Sequence, residues 1–213
     1  MRIGSAIRCL ALIAVLLANI GVSRAGIFDD AMSADTTPVE FSVGSGHYRM
    51  PRNYIFQMTN WRGGPQGTVS LRVVYPGFKP FGPDTQDCML RKIRCRIYEI
   101  VMVDDFYTSE ETFDSRNRYP KRGPYGFELF EVGPDDARVE YYRKKFKGEM
   151  IFFDCIVNDI RGVRNAICHH VERIGSGSFI SYYFTRNEEL ADASEVNEGL
   201  RKFIDSFSAG NNK

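Results

Sequence analysis

The chain has no Cys-x-x-Cys, no Gly-x-Ser-x-Gly and no glycine-rich phosphate loop. The first absence removes the usual dithiol redox centre. The second removes the strained turn that presents a serine nucleophile in α/β-hydrolases. The third removes the common nucleotide-binding fingerprints. Charge of one sign is missing too: 28 Lys+Arg stand against 27 Asp+Glu, a formal net charge of +1. A general nucleic-acid binder carries a basic excess, so no nucleic-acid partner is expected. No fixed-period repeat is visible. Nothing past residue 25 approaches the roughly 20 apolar residues that span a bilayer. No cofactor and no metal are expected.

What is present begins with "MRIGSAIRCLALIAVLLANIGVSRAGIFDD". Arg2 and Arg8 precede an apolar run, and Ser23 and Ala25 suit cleavage before Gly26. This is the layout of a secretory signal, so residues 1–25 are expected to leave. The three arginines Arg2, Arg8 and Arg24 leave with it and no acid does, which takes the formal charge from +1 to −2. Residues 26–37 are small and acidic, and are expected to form a mobile lead. Residues 38–210 then make a single domain, long enough to bury a core. The expected location is periplasmic or secreted.

Four cysteines remain after cleavage, and an even number in an exported chain suggests disulfides. A two-residue turn at Arg161-Gly162 sets Ile160 opposite Val163, Asp159 opposite Arg164 and Ile156 opposite Ile167. The same register sets Cys155 opposite Cys168, and Asp154 opposite His169. Counting outward, the cysteines fall on a non-hydrogen-bonded pair with Cα atoms about 4.5 Å apart, within disulfide range. Free thiols and a metal are the competing readings. The metal reading suffers because His169 and His170 are neighbours and a strand sends them to opposite faces. Cys88 and Cys95 are expected to pair with each other, though a bond elsewhere is open to them.

Strand signals fill most of the chain. Val39, Phe41 and Val43 alternate, Gly44-Ser45-Gly46 turns the chain, and Tyr48 and Met50 continue to Pro51. Val69, Leu71 and Val73 alternate up to Pro76. Further strands are expected at Ile93–Val103, Tyr125–Val132, Arg138–Phe146 and Phe179–Phe184, with a polar loop over 104–124. One long helix is clear. Asp192 can cap it, with Glu195 three residues on. Val196, Leu200, Phe203, Ile204 and Phe207 recur at helical spacing, and Gly210 is the stop. The expectation is an α+β domain: a largely antiparallel β-sheet with one long C-terminal helix packed on a face.

Catalytic constellations are thin. Ser45 and His47 share a strand face, but no acid joins them. The acid pairs Asp104-Asp105, Glu110-Glu111 and Asp135-Asp136 read as solvated surface. "YYRKKFKG" reads as an edge strand protected by lysines, with anionic lipid or nucleic acid as the competing use. Arg52, Tyr54, Trp61 and Arg62 gather residue types favoured at binding hot spots, and are the candidate partner-binding residues.

The segments "GHYRMPRNYIF…VSLRVVYPGFKPF" and "ISYYFTRNEELADASEVNEGLRKFIDSF" resemble a loose group of small exported proteobacterial proteins. Some exported proteins of this kind accompany antibacterial effectors as immunity partners. The closing "LRKFIDSF" also resembles the last helix of the Mog1/PsbP-like sandwich. These resemblances imply a fold and a role, and they transfer no functional residue. The expected function is a periplasmic protein-binding module without catalysis, immunity- or inhibitor-like. A cell-envelope structural or assembly factor, and a hydrolase with an unrecognised site, are the alternatives.

Overall fold

The computed structural model describes residues 32–57, 61–114, 119–134, 137–160, 163–175 and 177–209. The signal segment, the turn Arg161-Gly162, the pair Asp135-Asp136 and the stop at Gly210 lie outside the described residues. The first strands are β1 (Pro38–Val43), β2 (Gly46–Pro51), β3 (Gly64–Gln66) and β4 (Thr68–Tyr75). Then come α1 (Gln86–Met89), β5 (Arg96–Val103), α2 (Ser109–Asp114), β6 (Lys121–Arg122) and β7 (Glu128–Val132). The rest is β8 (Ala137–Phe146), β9 (Glu149–Ile160), β10 (Val163–Arg173), β11 (Phe179–Thr185), α3 (Arg186–Glu189) and α4 (Ala193–Asp205).

Eight strands form one antiparallel sheet in the order β4-β5-β11-β10-β9-β8-β7-β6. A second sheet has the order β2-β1-β3, with β1 and β3 parallel. This is an α+β architecture. No described helix is long and apolar enough to cross a membrane.

Side-chain alternation decides which face of the large sheet is covered. Val69, Leu71 and Val73 of β4, Tyr98 and Ile100 of β5, and Phe153, Tyr182 and Phe184 point to one face and are buried there. Helix α4 lies on this inner face through Val196, Leu200 and Ile204, each 0–1% exposed. Burying each stabilises by about 1.5–3 kcal/mol. The small sheet covers the rest of the inner face through Phe41, Val43, Tyr48 and Met50. The Tyr48 hydroxyl donates to Ser178 Oγ, which donates to the Val43 carbonyl, tying the two sheets together.

Several expectations change on contact with the structure. The described part of the lead, 32–37, is anchored. Met32 is buried against Val74, Cys88 and Met89, and the Thr37 carbonyl accepts the Arg52 amide. Strand β5 begins at Arg96 and not at Ile93, because the chain from Cys88 to Cys95 is closed by a disulfide into a loop. Asp192 occupies the N-cap position of α4 but makes no side-chain cap bond. Its carboxylate is gripped from both sides by the Arg96 guanidinium, at 2.6 and 2.9 Å. The "YYRKKF" strand β8 is not an edge strand, since β7 and β6 lie beyond it. The loop 104–124 contains α2, opened by a reciprocal capping box. Glu111 accepts from the Thr108 amide, and Thr108 Oγ1 accepts from the Glu111 amide.

Candidate functional site

The four residues proposed as partner anchors do not form one exposed group. Arg52 is buried at 5% exposure, and its guanidinium donates to the carbonyls of Ile55 and Gln57. It stitches a short 3-10 turn and cannot reach a partner. Tyr54 is half-buried, its ring packed on Phe203 and Phe207 of the C-terminal segment. Burial pushes its phenol pKa upward. Trp61 stands edge-on against Phe41 with centroids 5.6 Å apart and is also half-buried. Arg62 alone of the four is exposed.

Both expected disulfides are present. Cys88–Cys95 closes its loop with Cα atoms 5.4 Å apart, and Cys155–Cys168 bridges β9 and β10 with Cα atoms 3.9 Å apart. The hairpin register pairs Val163 with Ile160, Ile167 with Ile156, Cys168 with Cys155 and His169 with Asp154. The cysteines lie on the inner face, fully buried. Beyond His169 the two strands part. Ser109 of α2 fills the gap, its Oγ accepting the Val171 amide at 2.9 Å. The freed carbonyl of Phe152 accepts from His170 Nδ1 at 2.6 Å.

The consequence for function lies on the opposite face. Since Cys155 and Cys168 point inward, Ile156 and Ile167 point outward as a cross-strand pair. They are 56% and 53% exposed. Val139 and Val132 extend the same row across β8 and β7. In the next row Asp154, His169 and Tyr183 stand side by side on β9, β10 and β11. Tyr183 is 58% exposed and stacks on the His169 ring, centroids 4.4 Å apart at 18°. Phe106 reaches in from the loop after β5, edge-on to His169 at 6.4 Å, and is 49% exposed. Helix α2 covers the outer face on one side through Phe113, packed on Phe130 and Phe152. Helix α1 and Met32 cover it on another. Between them an apolar and aromatic surface stays open on rigid strands.

The sequence reading missed this surface, although its own register contained the signal. Placing the cysteines on one face places Ile156 and Ile167 on the other. The period-2 pattern of "FISYYFT" sends Tyr182 in and Tyr183 out.

One trio on this face has the order of a hydrolytic triad. Ser181 Oγ is 2.8 Å from His169 Nε2, and His169 Nδ1 is 3.7 Å from Asp154 Oδ1. The second distance is too long for a hydrogen bond. Acyl transfer also needs donors aimed at a developing oxyanion. Ser181 sits in β11 with β10 on one side and β5 on the other, so its main-chain groups belong to the ladders. The trio holds the His169 ring against Tyr183; it does not present an activated nucleophile. Ser45 and His47 are exposed at the β1–β2 turn.

No protein-family model matches the chain, and no curated protein does. Among solved structures, the fold is similar to that of an immunity protein of the Stenotrophomonas maltophilia type IV secretion system. The TM-score is 0.53 at 15% sequence identity, and the match covers 82% of this chain and 94% of that one. At that identity the likeness is one of fold.

Proposed function

We propose that the protein is an exported, non-catalytic binding module of the immunity or inhibitor type, acting on a protein partner in the periplasm. The observation that carries this reading is the open outer face: Ile156, Ile167 and Tyr183, each more than half exposed, on three adjacent strands of a disulfide-braced sheet. Large apolar side chains grouped on a rigid surface mark interaction sites, and an exposed tyrosine beside them suits a hot spot. The fold shared with an immunity protein supports the same reading, as do the signal-like residues 1–25 and the two disulfides, which persist in oxidising compartments. The Mog1/PsbP-like grouping belongs to the proposal as well, supported by the closing helix laid on the sheet.

Photo-crosslinking tests the reading. A benzoylphenylalanine at position 183 of the exported chain is expected to give one discrete protein adduct in cells. The same group at Tyr125, which is 56% exposed elsewhere, is expected to give none. Equal adducts from both positions, or adducts with glycan or lipid alone, would remove the protein-partner reading and leave the envelope-assembly alternative.

A further inference from the structure

We infer that the surface meeting this sheet face is cationic, presenting arginine or lysine side chains to an acidic–aromatic loop at its border. The inference rests on the protein-binding reading and names the partner's chemistry. The loop is "DDFYTSEE", Asp104 to Glu111. Asp104, Asp105, Glu110 and Glu111 are exposed, and so are Phe106 and Tyr107, at 49% and 79%. The loop is continuous with the open face. Phe106 stands edge-on to His169, His169 stacks on Tyr183, and Ser109 Oγ donates to Asp154 at 3.4 Å.

Many exposed acids of the chain are neutralised by a neighbouring cation. Glu128 pairs with Arg143, Glu149 with Arg201, Glu188 with Arg94, and Glu198 with both Lys147 and Lys202. Among the described residues Asp104, Asp105 and Glu110 make no ion pair. Glu111 caps α2 through Thr108, with Arg173 the nearby cation acting on it. An approaching polyanion or acidic membrane would meet repulsion from Asp104, Asp105 and Glu110. A guanidinium would meet two exposed aromatic rings flanked by carboxylates, which favours it through the ring quadrupole and through Coulomb attraction together. Exposed charge of one sign beside an apolar patch also steers encounter, and that steering weakens with salt.

The test uses the folded mature chain, labelled with nitrogen-15, and nona-arginine as the probe. Amide shifts are expected at 104–111 and at Asp154, His169 and Tyr183, and they should collapse at high salt. Asp104→Asn/Asp105→Asn/Glu110→Gln should weaken binding by about tenfold with an unchanged melting temperature; Tyr107→Ala should weaken it separately. Shifts spread over other exposed acids such as Asp84 and Glu195 would overturn the inference. So would concentration-dependent shifts of the same amides without probe, which would make a second copy of the chain the occupant. If position 183 still captures its partner at undiminished yield in the triple variant, the cationic inference fails while the binding reading stands. If position 183 captures nothing, the binding reading itself fails.

Discussion

At the scale of single residues, the structure shows how a carboxylate can be sealed under a sheet and stay charged. Glu140 is 1% exposed. Burial pushes its pKa up, but hydrogen bonds from Tyr142, Arg186 and Arg138 outweigh burial and hold it below the ordinary glutamate value. An unfolded glutamate titrates near about 4.3. The native chain therefore binds this proton less readily than the unfolded chain. The stabilisation is complete above the unfolded value and is lost as pH falls through the lower native one. Glu140→Gln takes the carboxylate from Arg186 and Arg138, and the expected cost at neutral pH is about 3–5 kcal/mol. Urea unfolding at neutral and acid pH checks this. The gap between the two proteins should narrow below about pH 4, and a constant gap would mean the cost comes from packing alone. Arg52, expected as a partner anchor, is buried at its own turn. Its type suggests binding, but both terminal nitrogens of its guanidinium donate to main-chain carbonyls, those of Ile55 and Gln57. Nothing in residue type distinguishes an arginine that serves its own turn from one that serves a partner.

At the scale of elements, the β9–β10 hairpin was the most legible part, because its register is fixed by three local facts: a turn signal, facing aliphatics and facing cysteines. Helix α4 was equally legible from its apolar spacing, though not its cap. Asp192 turned from its own helix to Arg96, a residue nearly a hundred positions earlier that no local pattern announces. Helix α2 was missed although Thr108 and Glu111 carry a capping-box spacing, since its apolar content is little more than Phe113. The outer face was legible only by consequence, as the side the cysteines do not occupy. Three outcomes test the elements. Oxidised protein should resist alkylation at all four of Cys88, Cys95, Cys155 and Cys168, and labelling of any would refute the pairing. Cys155→Ala/Cys168→Ala should lower unfolding free energy by about 3 kcal/mol, the chain-entropy value for a loop of this length. Leu200→Ala, at a position with no exposure, should cost about 2–5 kcal/mol by chemical denaturation.

At the scale of the whole molecule, the two faces of the large sheet are treated differently. One is closed by α4 and the small sheet; the other is covered at its margins and open between them. A double change, Ile167→Ser with Tyr183→Ser, should leave the melting temperature within a few degrees and abolish capture of a partner; a collapse in stability would assign those side chains to folding. The C-terminal stretch adds a different constraint. After α4 the chain lies along β2, where the Arg49 amide donates to the Phe207 carbonyl and the Ala209 amide to that of His47. The first described hairpin is thus completed by residues that follow the closing helix. Cutting the chain just after the helix would therefore be felt far from the cut, as a loosened first hairpin.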